Sequence, residues 1–355
     1  MSHMELAIIG PSFFGYLEDL TERFHARGIG ATFYDERPSN SISTKAFLRV
    51  APAAVKARRT ADWLARTVQS VIEAGTTHAL LISPEIVTPD AVRRLQAAGI
   101  KVTRYGFDSV RNKRGMQDLD PLMDRVASFD PEDCAQLGYD YIPLYSAAPR
   151  RDPAPDRACD FFYCTTMHSH RPQMVARLKA IIARRGWSSG FLLFYHSRPL
   201  WLAIYLRHPQ VWGLVREIAT TPFSKTDIAR ATETARVVFD IHHGGQSGLT
   251  MRTFEALSLG AVLLTTNTAT FEYLPKCLQN RLVHLDMDNP EASMEAALAT
   301  RPGPLTEAEL HYLSVERFMD QVFALATGAE IPQPDPVQTK GDIRPATTPP
   351  TSLSA

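Results

Sequence analysis

The chain has 355 residues, and a single hydrophobic core usually stops growing near about 250 to 300 residues, so two domains are expected. Thirty-eight basic and thirty-eight acidic residues cancel, which excludes a nucleic-acid binder whose affinity comes from a field of positive charge. A hydrophobic fraction of 45% with 21% charged residues describes an ordinary globular chain and excludes a disordered or fibrous one.

The first half opens with an apolar strand, Leu6 to Gly10, then a helix through Leu17, Leu20 and Phe24 that stops at Gly28. A second strand, Ala31 to Tyr34, ends in Asp35 and Glu36. This is a Rossmann-like opening, but the loop Gly10 to Gly15 lacks G-x-G-x-x-G, so no dinucleotide is expected here. The segment Ser43 to Ala74 reads as one or two helices. The strand His78 to Ser83, a helix from Pro89 to Gly99 and the strand Lys101 to Tyr105 follow. The strand Arg125 to Phe129, a short helix after Pro131 and the strand Tyr141 to Tyr145 complete a first domain over residues 4–145. Residues 1–3 before Met4 look like a cloning remnant.

Residues 146–156 are rich in Pro and charge and read as an interdomain linker. The second domain, 157–330, begins with the strand Cys159 to Cys164, a loop of Thr, His and Ser residues, and a helix Pro172 to Arg185. The strand Phe191 to Tyr195 comes next, then a helix Lys225 to Thr234, with no element drawn between them. After the segment Val237 to Asn267, treated below, come a strand Arg281 to Asp286 and one long helix Thr306 to Ala326. The tail, 331–355, is polar and rich in Pro, Thr and Ser, and is expected to be disordered. The fold expected from this alternation is two doubly wound α/β domains facing each other across a cleft, with ligands at the carboxyl ends of the strands.

Val237 to Asn267 reads VVFDIHHGGQSGLTMRTFEALSLGAVLLTTN, a strand, a loop rich in Gly and His, a helix and a second strand. In such a βαβ unit the amides at the helix start lack intrahelical partners and attract anions, and Gly244, Gly245 and Gly248 let a phosphate come close. Arg252, in the first helical turn, can grip a pyrophosphate, or else pair with a neighbouring acid. Glu255 lies three residues later on the same face and can accept hydrogen bonds from a ribose diol, or serve as a helix-pairing carboxylate. Donors for phosphate beside an acceptor for sugar hydroxyls point to a nucleotide-diphosphate ligand. Gln246, Ser247, Gly248 and Thr250 are candidate contacts to its phosphate or sugar.

The run Gly248 to Ala261, GLTMRTFEALSLGA, resembles the donor-binding segment of GT-B glycosyltransferases, whose pattern approximates G-x-x-x-R-x-x-E-A-L-A-x-G-x-P/A. It is most similar to the bacterial enzymes of capsule, lipopolysaccharide and spore-coat polysaccharide assembly, including the CgeB-like group. The resemblance implies the GT-B fold, two Rossmann-like domains across a cleft, and a metal-independent transfer of sugar from a nucleotide-sugar donor to a hydroxyl of a saccharide or other acceptor. It assigns the ribose to Glu255 and implies no cofactor beyond the donor substrate. Many retaining members carry a further Glu eight residues before the second, where this chain has Ser247, so the stereochemistry stays open. The same architecture also serves nucleotide-sugar epimerases, and a catalytically silent partner module in a polysaccharide assembly complex would keep it too.

Other candidates follow from position. His242 and His243 end a buried strand and face opposite ways, so one should point into the cleft, although such histidines are often satisfied structural groups. His168 and Arg171 follow the first strand of the second domain, where Arg171 can neutralise phosphate charge; His168 and His170 make a poor metal pair, and no metal site is expected. The base for the acceptor hydroxyl should come from a strand end of the first domain. Asp35, Glu36 and Asp108 meet that condition, although Asp35 and Glu36 can equally close the strand or pair with Arg37. Ser12, Phe13 and Phe14 can floor an acceptor pocket or cap a core. Asp286-Met287-Asp288 has D-x-D spacing but reads as a turn.

Four cysteines, Cys134, Cys159, Cys164 and Cys277, show no C-x-x-C spacing, and with no leader-like start or apolar run of roughly 18 residues a cytoplasmic location is expected. An enzyme that builds surface glycans would have reason to meet a lipid-linked acceptor and to sit peripherally at the anionic surface of the inner membrane. The basic clusters at Lys56, Arg58, Arg59 and Arg66, and at Arg184 and Arg185, read first as solvated helix faces.

Overall fold

A computed structural model describes residues 4–12, 15–38, 50–113, 115–148, 156–242 and 247–332. The expectations for residues 1–3, Phe13, Phe14, most of the linker, His243, Gly244, Gly245, Gln246 and the tail beyond 332 lie outside the described residues, as do the side chains of Lys56 and Arg59.

The first half alternates as β1 (Glu5–Gly10), α1 (Tyr16–Ala26), β2 (Gly30–Asp35), α2 (Ala53–Glu73), β3 (His78–Ile82), α3 (Pro89–Ala97), β4 (Lys101–Gly106), β5 (Arg125–Ser128), α4 (Pro131–Leu137) and β6 (Asp140–Tyr141). Its strands form one sheet in the order β2-β1-β3-β4-β5-β6, every pair parallel. The inner strands β1 and β3 are short apolar runs buried on both faces, as parallel strands covered by helices must be. The expected strand Tyr141 to Tyr145 pairs only over its first residues, because Pro143 interrupts the ladder.

The second half runs β7 (Cys159–Thr166), α5 (Arg171–Arg185), β8 (Ser189–Phe194), α6 (Arg198–Ile204), β9 (Ile218–Ala219), α7 (Lys225–Glu233), β10 (Ala235–Asp240), α8 (Met251–Ser258), β11 (Val262–Thr265), α9 (Thr270–Tyr273), β12 (Leu282–His284), α10 (Pro290–Ala299), α11 (Glu307–Leu313) and α12 (Val315–Thr327). The sheet order is β12-β11-β10-β7-β8-β9, again all parallel. Each sheet therefore has one reversal of strand order, between β1 and β3 in the first and between β7 and β10 in the second. Loops diverge from a parallel sheet at such a point and leave a crevice at the carboxyl ends of the strands.

The expected single helix Thr306 to Ala326 is two helices. Ser314 is extended (φ −79°, ψ 157°), ends α11 and caps α12 by accepting a hydrogen bond from Arg317 N–H at 3.2 Å. The break turns α12 onto the first sheet, where Phe318 packs against Tyr105, Phe107 and Tyr145. Arg317 is buried and donates to the carbonyls of Tyr312, Pro143 and Leu144. The sequence groups this last helix with 157–330, while its packing is with β3, β4 and β5. One apolar cluster accordingly runs from Leu6 and Leu80 through Phe318 to Val238 and Leu263, joining the halves.

Candidate active site

The two switch points face each other. In the second half, the β7–α5 loop carries His168, α5 opens on Arg171, and the β10–α8 loop carries His242, Ser247, Gly248 and Thr250, so both loops flank the crevice between β7 and β10. Thr250 caps α8: its hydroxyl oxygen accepts from Thr253 N–H at 3.3 Å and its O–H donates to Asp240 at 3.1 Å. Asp240, buried at the end of β10, also receives the hydroxyls of Thr253 and Thr265. Burial raises its carboxyl above the ordinary range, and the threonine hydroxyls pull against that rise. Its position beside the first turn of α8 suits the positive end of the helix dipole.

One turn into α8, Arg252 Nη1 lies 3.0 Å from Glu255 Oε2, with both side chains largely buried. Burial disfavours the charged guanidinium, but Glu255 and then the Cys164 sulfur outweigh it and hold Arg252 above its ordinary pKa. Glu255 also accepts a hydrogen bond from Tyr16, at the start of α1 in the other half. Burial, reinforced by Glu255, pushes the Tyr16 phenol far up, so it stays a donor at any physiological pH. Lys225 Nζ stands 4.3 Å over the Tyr16 ring. The first-half loop therefore touches the acid on which the ribose reading rests.

A second contact shuts the mouth of the β10–α8 loop. Asp130, at the carboxyl end of β5, caps α4 through Glu132 N–H at 3.1 Å and accepts from Ser109, from Ser247 N–H at 3.2 Å and from the Ser247 hydroxyl. The ring of Phe129 lies against Gly248, where an added Cβ would stand 2.3 Å from a ring carbon. Only glycine permits that approach. In the described state the amide and hydroxyl of Ser247 hold a carboxylate of the protein itself.

Arg171 reaches His168 Nε2 at 3.1 Å and the Ile241 carbonyl at 3.5 Å, which bridges the two loops of the crevice. His242 binds Thr266 through Nδ1 at 2.8 Å. The structure thus brings together His168, Arg171, His242, Ser247, Gly248, Thr250, Arg252 and Glu255 on one crevice. Among the described residues no group of three His, Cys, Asp or Glu has an arrangement that would hold a metal, and the D-x-D segment closes a turn through Asp288 N–H to Asp286 at 2.8 Å.

The three first-half acids separate. Glu36 is fully buried and its two oxygens accept from the amides of Glu85, Ile86 and Val87 at 2.6, 3.1 and 3.2 Å. Burial pushes it up to about 7 while those amides pull it down. Asp35 accepts from Ser12 N–H and Arg37 N–H at 3.4 and 2.9 Å. Asp108 is exposed, with Lys113 Nζ at 3.4 Å, and is next in sequence to Ser109, which binds Asp130. Tyr16, Phe129, Asp130, Asp240, Cys164 and Lys225 were not singled out for the site from sequence. Asp130 carried a signal, an N-cap acid before Pro131; Tyr16 carried none beyond its place after Gly15.

Two doubly wound parallel sheets with facing switch points define the GT-B fold. The chain is similar at 10% identity to the apo lipopolysaccharide outer core galactosyltransferase WaaB, covering 92% of this chain and 99% of that one with a TM-score of 0.55. It is also similar to a glycosyltransferase from Rickettsia africae ESF-5, at 10% identity over 92% and 99% with a TM-score of 0.53. A UDP-GlcNAc 2-epimerase from Methanocaldococcus jannaschii, in complex with UDP-GlcNAc and UDP, matches at 12% identity over 92% and 100% with a TM-score of 0.55. No protein-family model matches the sequence, and neither does any curated protein.

Proposed function

We propose that the protein is a GT-B glycosyltransferase that moves a sugar from a nucleotide-diphosphate donor to a hydroxyl of a saccharide, free or lipid-linked, in surface polysaccharide assembly on the cytoplasmic side of a membrane. The observation that carries this reading is the Arg252–Glu255 pair, set one turn into α8 at the β7/β10 switch point and turned toward the other half rather than to bulk water. In this reading the ribose diol replaces the Tyr16 phenol on Glu255, and a donor phosphate replaces the Asp130 carboxylate on Ser247. Arg252, released from its ion pair, and Arg171 then face the diphosphate and stabilise the charge that builds as it leaves. Because Tyr16, Phe129 and Asp130 all belong to the first half, the donor enters when the halves part at these contacts.

The acceptor hydroxyl needs a base. Glu36 is tied to three amides, whereas Asp108 keeps an exposed carboxylate one residue from the Ser109–Asp130 chain that reaches Ser247. We assign the base to Asp108, with Asp35 as the alternative. As the acceptor oxygen bonds to the anomeric carbon, its proton passes to the carboxylate and the nucleoside diphosphate departs with the bonding pair.

A thermal-shift screen of nucleoside diphosphates tests the reading. At least one should raise the melting temperature, and Glu255→Ala and Arg252→Ala should each abolish the rise relative to their own ligand-free values. No shift with any nucleotide would refute it. The epimerase fold matches as well as the transferase folds, so product analysis with donor alone separates the two chemistries. Nucleotide binding without turnover across an acceptor panel would point to a silent partner module.

A further inference from the structure

We propose that the outer face of α6 and the turn after it form a seat for an anionic lipid surface. The eight residues Pro199 to Leu206 carry no charged side chain, a composition that belongs to a helix buried all round. Here only Trp201 and Tyr205 are buried, while Leu200, Ile204 and Leu206 are 46, 53 and 61% exposed and Leu202 and Trp212 stand out beside them. Four of the eight large apolar side chains exposed among the described residues fall within these eight positions, and a fifth, Trp212, follows close behind. Such clustering marks an interaction face rather than scattered surface residues.

Charge selects the occupant. From Phe161 through Arg216 the chain has eight Lys and Arg residues and no Asp or Glu. Of these, Lys179 pairs with Glu217, Arg184 with Glu291, and Arg185 with Glu291 and Glu295, while Arg177 donates to the carbonyls of Met287 and Asp288 and Arg171 to that of Ile241. Arg198, Arg207 and Arg216 are exposed and, among the described residues, pair with no carboxylate. A second copy of this chain would set these cations against their own kind. A free polyanion would satisfy them but leave the leucines in water. An anionic bilayer interface meets both requirements, taking the apolar side chains below the headgroups and the guanidinium groups among them.

The seat is firmly tied to the crevice. Trp201 Nε1–H donates to the Met167 carbonyl at 2.9 Å, Tyr205 O–H to the Ser169 carbonyl at 2.9 Å, and Trp212 Nε1–H to the Tyr205 carbonyl at 3.0 Å. Docking the outer face of α6 on lipid therefore holds the β7–α5 loop, which packs on the inner face of that helix, one helix diameter (~10 Å) behind the membrane surface. No described helix is long and apolar enough to cross a membrane, so the contact is peripheral. It stands independently of the nucleotide-sugar reading.

Co-sedimentation of the full chain with vesicles of phosphatidylglycerol and phosphatidylcholine, against phosphatidylcholine alone, tests the proposal. Binding to the anionic vesicles only, weakened at high salt, is expected. Ile204→Ser with Leu206→Ser, and separately Arg207→Glu with Arg216→Glu, should each lower the partition coefficient at least about tenfold. Arg93→Glu with Arg94→Glu, the same charge change on α3 of the first half, should leave it unchanged. All four altered positions of the test variants are exposed, and an unchanged circular-dichroism melt establishes that the variants fold. Absence of binding to anionic vesicles, binding that both variants retain, or a dimer in sedimentation velocity that Ile204→Ser with Leu206→Ser dissolves would overturn the proposal, the last by assigning the face to a second copy.

Discussion

The two halves share one plan, a six-stranded parallel sheet with loops at a switch point, yet they use their acids in opposite ways. In the first half Glu36 holds three backbone amides of the loop after β3, and Asp130 caps α4 before it reaches Ser247. In the second half Glu255 meets side chains, Arg252 and Tyr16. A carboxylate bound to amides sets the shape of a loop and leaves only if the loop does. Side-chain partners turn away at the cost of a few torsions, so a ligand can replace them. The difference separates acids that build the cleft from acids available to a substrate.

The largest expected effect is at Glu36. Glu36→Ala would leave three amides without their acceptor, at about 1 to 3 kcal/mol each, so urea denaturation should show a loss of at least about 3 kcal/mol. A loss below about 1 kcal/mol would break the comparison. The same residue predicts a pH dependence. Its folded value, about 7 against an ordinary 4.5, is raised, so the stability tied to the protonated form is fully present below the unfolded value and is lost as pH rises through the folded one. Relative to Glu36→Gln, the wild-type protein should lose stability across that window, by about 3 kcal/mol at most. Parallel melting curves for the two proteins from low to neutral pH would contradict this.

The joint between the halves comes next. Gly248→Ala places a methyl against the buried Phe129 ring, and overpacking of this kind costs about 1 to 3 kcal/mol. A drop of several degrees in melting temperature is expected. An unchanged value would mean that the halves do not close at this contact in solution.

Tyr16→Phe should have the smallest effect and the most informative sign. It removes the donor that competes with ribose for Glu255, a hydrogen bond of about 1 kcal/mol net. Calorimetry should therefore find the nucleoside diphosphate bound roughly 3- to 10-fold more tightly. Weaker binding would instead make Tyr16 a contact to the bound donor.

Much of the scaffold was readable because its signals are local. The strand at Val237 and the helix opening at Thr250 each follow from short apolar runs, a cap and a glycine loop. The break at Ser314 was not readable, since an apolar period continues through it and only the cap geometry interrupts the helix. The stretch from His196 to Ser224 yielded no element, because its apolar run lacks the period that signals an amphipathic helix. That same lack is why the outer face of α6 is exposed.

By itself the sequence determined the alternation of strands and helices in two doubly wound halves and the segment that bears Arg252 and Glu255, because both rest on periodicity and spacing along the chain. The GT-B layout followed from the resemblance of that segment to a known family. Tertiary structure alone decided that α12 returns to the first sheet, that Phe129 and Asp130 close on Gly248 and Ser247, and that Tyr16 reaches Glu255. These pairings join residues more than a hundred positions apart, and such contacts depend on how two packed sheets meet rather than on any local pattern.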